Sequence, residues 1–366
     1  MDKRELLERK AQLEKDISKY SNLQLAKKVQ LNSAYGALGN QYFRFFDVRQ
    51  AEAITLSGQL SIKWIEARIN EYMNGLLKTE GVDYVLASDT DSLYITFSGL
   101  VDKVYKDKVG DTPPEEIVDF LDKVAQTKIE PFIDKSYQDL ANLMNAYDQK
   151  MFMKREAISN KGIWTAKKRY ILNVYDNEGV RYSEPKLKMM GIETVKSSTP
   201  QVCRDALKEA LNLIMNADEA TVQKYIEDYK KQFKSMSFEQ IAFPRGISDM
   251  KKYQSKGEGL FIPSGCPIQV RGALIYNYLL KKHNLTKSYE MIQDGEKIKF
   301  CYLKTPNPCR QNVLSVVSAL PKQFGLEDYI DYDLQFEKAF LAPLQVILDT
   351  IDWSAEEETT LESFFS

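Results

Sequence analysis

The stretch ASDTDSLYITF, residues 87–97, sets the first constraint on the fold. Apolar residues lead into a Ser-Asp-Thr-Asp-Ser corner and a β-branched, aromatic run leads out, which predicts strand, tight turn, strand. The turn carries two carboxylates, Asp89 and Asp91. Such a pair suits a hard divalent cation, whose ligands are oxygens. Phosphoryl-transfer sites draw a further carboxylate from elsewhere in the protein, so the question is where a third would come from.

The rest of the composition narrows the chemistry. The single histidine, His283 within KKHNLTK, reads as a surface loop residue and excludes His-based triads and multi-histidine metal sites. Cys203, Cys266, Cys301 and Cys309 are scattered without a CxxC pair, which indicates neither a zinc site nor a disulfide framework and fits a reducing cytoplasm. Lys+Arg 50 against Asp+Glu 52 leaves a net charge of -2, so any basic surface must be local. A chain of 366 residues, 43% hydrophobic and 28% charged, is long enough for two or three domains with a substantial core. It shows neither a signal peptide nor an apolar run that would span a bilayer, and a cytosolic protein is expected.

Apolar periodicity predicts a helix from the start to Gly36 and a second over residues 50–77, with Ile62, Ile65 and Ile69 at helical spacings. After the 87–97 hairpin, Thr112-Pro113-Pro114-Glu115 reads as a helix start, with an interruption near Pro131. Strands are expected at 150–158 and 163–175, and Asp176-Asn177-Glu178-Gly179 as a hairpin turn into RYSEPKLKMM. From Ser198-Thr199-Pro200 onward the pattern turns helical, with a loop-rich segment at 244–269 and a helix through DLQFEKAFLAPLQVIL. This places a domain boundary near residue 192. The acidic tail reads as loosely attached.

Several side chains group by spacing. Lys28, Asn32 and Tyr35 fall at i, i+4 and i+7, one helix face offering a cation, an amide and a phenol, although a solvated face has the same look. Glu156, on the strand predicted over 150–158, is placed where an adjacent strand brings it near Asp91; a surface carboxylate is the plainer reading. In the run Lys167-Lys168-Arg169-Tyr170, strand alternation sends Lys168 and Tyr170 to one side and Lys167 and Arg169 to the other. That run is either a solvated strand edge or a minor-groove contact that tests base pairing without reading sequence. Leu361, Phe364 and Phe365 end the tail with apolar side chains suited to docking on a partner.

KKVQLNSAYGALGN, ASDTDSLYITF, REAIS, KKRY and LKMMGIETVKSSTP follow one another in an order and spacing that resembles the C-terminal part of the family B DNA polymerases, with the replicative enzymes of T-even-like bacteriophages the nearest branch. The resemblance runs from about residue 20 to the end. It implies an α+β chain forming part of a polymerase right hand: half of a helical fingers hairpin (1–35), an antiparallel palm sheet with packed helices (36–190), a mainly helical thumb (191–350) and a flexible clamp-binding tail (351–366). In the family's K-x3-NS-x-YG motif the lysine contacts the incoming triphosphate, which matches Lys28, and Asn32 and Tyr35 then support the nascent base pair. Asp91 matches the carboxylate that binds both catalytic metals, Asp89 an accessory one, and Glu156 a palm carboxylate near the metals. Lys168 and Tyr170, flanked by Lys167 and Arg169, match a duplex-sensing strand. Leu361, Phe364 and Phe365 are similar to the tail that docks on the sliding clamp, without its usual leading glutamine. Ser88 stands where glycine is commoner.

The resemblance also implies what is missing. The chain has no D-x2-SLYPS segment, which in the family carries the other essential metal-binding aspartate, and no match to the first fingers helix or the exonuclease. The expectation is a C-terminal subunit of a split DNA-directed DNA polymerase with little or no activity alone. A partner chain would complete a site for two Mg2+ ions. Primer-template DNA, deoxynucleoside triphosphates and a sliding clamp are the other partners, in the cytoplasm of an infected bacterial host, with no membrane role. The alternatives are a non-catalytic remnant that binds duplex DNA and a clamp, and a metal-dependent nuclease using Asp89, Asp91 and Glu156.

Overall fold

The first helix, α1 (Lys3–Leu38), starts where its sequence can satisfy the end of a helix. Asp2 accepts hydrogen bonds from the Arg4 and Glu5 backbone N–H groups, and the Glu5 carboxylate accepts from the Asp2 N–H, a reciprocal cap. Gly39 ends it. In the computed structural model, which describes residues 2–254 and 262–357, the chain divides into two compact units, Met1–Arg155 and Glu156–Ser366.

In the first unit α1 buries no residue. Helix α2 (Val48–Leu77) does the packing, with Ser61, Ile65, Ile69 and Met73 buried at four-residue intervals. The hairpin follows as β1 (Val85–Asp89) and β2 (Ser92–Ile95), and then α3 (Ser98–Tyr105), α4 (Pro114–Val124) and α5 (Glu130–Leu143). Ile65, Ile69 and Met73 meet Tyr84 and Val85 from the hairpin side and Ile129, Ile133, Tyr137 and Leu140 from the last helical stretch. The Trp64 indole N–H donates to the Ser136 carbonyl at 2.9 Å, tying α2 to α5.

The interruption expected near Pro131 is one wide turn, a π-helix over Ala125–Ile129. A regular helix would ask Pro131 for an N–H to the Thr127 carbonyl and would drive its ring into that carbonyl. The wide turn bonds the Glu130 N–H to the Ala125 carbonyl instead and carries the helix past the proline. The same solution recurs in the second unit, where a π turn over Glu337–Leu341 precedes Pro343.

The second unit opens with β3 (Ala157–Ala166), β4 (Arg169–Asn177) and β5 (Val180–Met190), an antiparallel sheet in that order. The turn expected at 176–179 is present: Glu178 and Gly179 both take positive φ, and Asn177 pairs with Val180. The preceding strands differ from expectation. Residues 151–156 are coil, and the strand lies at 157–166, joined to β4 by a turn at Lys167 and Lys168. Then come α6 (Gln201–Asn216), α7 (Glu219–Phe233), α8 (Phe238–Ile241), β6 (Phe243–Gly246), α9 (Met250–Tyr253), α10 (Ile268–Lys282), β7 (Lys297–Tyr302), β8 (Val313–Val316), α11 (Tyr332–Phe336) and α12 (Ala342–Thr350).

Strands β6, β7 and β8 form a third antiparallel sheet that the helical reading of this region missed. These strands are only four to six residues long: β6 carries Pro244, Arg245 and Gly246, which read as loop, and β7 and β8 are too short for their periodicity to separate strand from a helical segment. Helix α10 lies close on β8 because Gly272 has no side chain; a Cβ there would come within 2.4 Å of the Ser315 hydroxyl. The chain is α+β, as its sequence predicts. Among the described residues no helix is long and apolar enough to cross a membrane.

Candidate functional site

The 89–91 turn is tight. The Asp91 N–H donates to the Asp89 carbonyl at 2.6 Å, with Thr90 between them at φ +58. A β-branched residue rarely occupies that region, so the turn stores backbone strain. The Thr90 hydroxyl donates to the Asp89 carboxylate at 3.0 Å, and the Ser92 hydroxyl to the Asp89 carbonyl at 3.2 Å. Asp89 is half-buried; Asp91 is exposed, and its carboxylate has no hydrogen-bond or ion-pair partner among the described residues.

Two asparagines one turn apart on α2 anchor this hairpin. The Asn74 side-chain amide donates to the Val82 carbonyl at 2.7 Å and accepts from the Val82 N–H at 3.1 Å, pairing with that residue as a neighbouring strand would. The Asn70 carbonyl accepts from the Tyr84 N–H at 2.8 Å, and its amide donates to Asp83 at 2.7 Å. The Thr79 hydroxyl bonds both Asn74 and the Tyr84 hydroxyl. Val82–Tyr84 is thus held to α2 immediately before β1 begins. Sequence reasoning passed over both asparagines; the available signal was a pair of amides at i, i+4 near the end of a helix and just ahead of a strand.

Lys28, Asn32 and Tyr35 all lie on α1 and all are exposed, and the helix is continuous through them, so the expected common face exists.

The basic run is placed differently from expectation. Lys167 and Lys168 form the two-residue turn between β3 and β4, with Lys168 at φ +62, so strand alternation does not reach them. Tyr170 sits within β4, 7% exposed and paired across the strands with Trp164. The Arg169 guanidinium donates to Glu193 at 2.8 Å. The side chains that project at this tip are therefore the two lysines. Gly191, at φ +66, lies against the tip from the end of β5, where a Cβ would fall 2.3 Å from the Lys168 carbonyl.

Glu156 lies in coil one residue before β3 rather than on a strand, and Lys188 of β5 holds its carboxylate at 2.5 Å. Among the described residues no three His, Cys, Asp or Glu side chains group as a metal site. The oxygen donors of Asp89 and Asp91 suit Mg2+ in kind. Leu361, Phe364 and Phe365 lie outside the described residues.

The strained carboxylate hairpin, the polar helix face and the basic hairpin tip are thus set on α+β units with antiparallel sheets. Residues 1–258 match the family described as DNA polymerase family B, and the chain belongs to that family. It is similar to the DNA-directed DNA polymerase of Enterobacteria phage T4, at 37% identity over 354 residues. It is also similar to that of Escherichia phage RB69, at 38% identity over 354 residues. In each case the match covers 93% of this chain, and the chain spans 38% of the length of the relative.

Proposed function

We propose that this chain is the C-terminal subunit of a split DNA-directed DNA polymerase of family B, active in template-directed deoxynucleotidyl transfer once a complementary polypeptide is bound. The observation that carries the reading is the Asp89–Asp91 hairpin of a family B chain, with an exposed Asp91 carboxylate and, among the described residues, no group of three metal-ligating side chains around it. Transfer between phosphates needs charge held on both sides of the reacting oxygens, and this chain offers one side. Two bound Mg2+ ions would supply neutralisation of the triphosphate charge. Asp91 is the principal ligand in this reading and Asp89 the accessory one. Glu156 takes a lesser part that would require leaving Lys188.

Lys28 holds the incoming triphosphate through a charge-assisted contact, and Asn32 and Tyr35 support the nascent base pair. The Lys167–Lys168 tip lies along the primer-template duplex, with Arg169 and Tyr170 fixing the strand behind it. The complementary polypeptide supplies the other metal-binding aspartate, the first fingers helix and the exonuclease. An apolar surface that water disfavours supports such a partner: Leu6, Leu13, Ile17 and Leu31 on α1 and Tyr42 and Phe45 beyond it are exposed. Leu361, Phe364 and Phe365 dock on a sliding clamp, and the setting is an infected bacterial cell.

Primer extension with Mg2+ and deoxynucleotides tests the reading, with this chain alone, mixed with a polypeptide carrying the missing palm segment, and mixed as Asp91→Ala. Synthesis only in the wild-type mixture is expected, with duplex binding retained by the variant. Duplex and clamp binding without synthesis in any mixture would instead favour a remnant that binds and does no chemistry. Synthesis by this chain alone would overturn the split reading.

A further inference from the structure

Helix α2 is packed along only part of its length. From Ser61 to Met73 it buries every fourth residue, whereas nothing in its first half, residues 48–60, is buried. Val48, Ile54, Leu56 and Leu60 lie there between 40% and 56% exposed. The stretch is unlike a solvated helix: residues 53–62, AITLSGQLSI, contain no charged side chain, while the equally exposed α1 carries charges from Lys3 to Lys28. Its hydroxyls are bonded within the helix, Thr55 donating to the Glu52 carbonyl and Ser61 to the Ser57 carbonyl, each at 2.8 Å, so neither requires water. Gly58 is a second, independent observation. Glycine inside a helix is disfavoured relative to alanine, and a Cβ built here would meet no atom within 4 Å outside its own helix, so among the described residues nothing uses the room that the missing side chain leaves.

We propose that residues 48–60 of α2 are a docking strip for the complementary polypeptide, which lies close against Gly58 and covers Ile54, Leu56 and Leu60. The inference rests on the reading of this chain as one part of a split polymerase. The strip selects an apolar face, because a charge buried against residues 53–60 would find no opposite charge there. A second copy of this chain is the poorer occupant. Thirteen helical residues make a strip about 20 Å long and about 10 Å wide, so two copies paired through it would bury about 400 Å² in total, far below the roughly 1,200 Å² at which specific interfaces begin. A polypeptide supplying what the phage relatives have beyond this chain, which spans 38% of their length, is large enough to add the remaining contacts.

The test mixes the full chain with the polypeptide carrying the missing palm segment and follows hydrogen exchange and complex affinity, with thermal melting of this chain alone alongside. Amides within residues 48–60 are expected to exchange more slowly in the mixture. Gly58→Leu fills open space on the lone chain and improves helix propensity, so it is expected to raise the melting temperature of the lone chain while weakening the complex by about tenfold or more. Those opposite signs separate docking from a merely structural role, in which both would fall together. Leu56→Ser removes apolar area from the contact and is expected to weaken the complex by about 10- to 100-fold, with melting of the lone chain little changed. A complex that forms without protection over residues 48–60, or that keeps wild-type affinity in both variants, would overturn the proposal and leave the split reading standing. Protection in the chain alone that grows with its own concentration would make a second copy the occupant and would also overturn it. A wild-type chain that forms no complex would overturn both.

Discussion

Gly191 shows how much can rest on one missing side chain. Alanine there would place a Cβ 2.3 Å from the Lys168 carbonyl, at a φ of +66 that disfavours any L side chain, so the strand end or the tip must move. Gly191→Ala is expected to destabilise the fold by about 1–3 kcal/mol and to weaken duplex binding, measured by denaturant melts and anisotropy. The thiols give an independent check on burial. Desolvation pushes Cys203 up to about 12 and raises Cys301 well above the usual thiol range, while Cys266 and Cys309 are only partly buried. At pH 8 iodoacetamide should therefore modify Cys266 and Cys309 first and reach Cys203 and Cys301 only on unfolding, as peptide mass spectrometry would report. A folded-state thiol raised from 9 to about 12 favours the fold fully below pH 9, and stability falls as pH rises from 9 toward 12. Asp89 and Asp91 were legible in the sequence because a turn announces itself through its own residues. Glu193 was not, because its meaning lies in Arg169, at the start of β4 and far from it in sequence.

Elements defined by local chemistry were the ones read correctly. The 85–95 hairpin, the Asn177–Val180 turn and helix α6 each carry their own boundaries in neighbouring residues. Strand β3 was misplaced because KKRY was read as continuous strand, and only the Lys168 backbone conformation makes it a turn. The anchoring of β1 is the element-scale feature with the clearest test. Asn74→Ala would strip partners from both the N–H and the carbonyl of Val82 and from the Thr79 hydroxyl. A loss of about 1–3 kcal/mol is expected, with hydrogen exchange accelerated at Val82 and Tyr84. Equal exchange in wild type and variant would show that Val82–Tyr84 is held by something else.

For the molecule as a whole, the two units are unequally supported. The first gathers its core around Ile65, Ile69 and Met73, whereas the second closes a far larger one around Phe233, Tyr276, Phe340 and Leu348. Calorimetry of the chain alone should resolve two transitions, the lower from the first unit, and a binding partner should raise that one selectively. A single transition that ignores the partner would contradict the division. What the sequence could not convey at this scale is the solitude of α1, since its leucines look like those of any packed helix. At 36 residues and roughly 54 Å, it stands without a buried side chain. Helices so placed are held by their own hydrogen bonds and fluctuate between ordered and frayed states. Lys28, Asn32 and Tyr35 share a face only while that helix is wound. If that face holds a nucleotide as proposed, the affinity of the lone chain for it is the intrinsic affinity scaled by the fraction of time α1 is intact, so warming would erode nucleotide binding well before the cores melt.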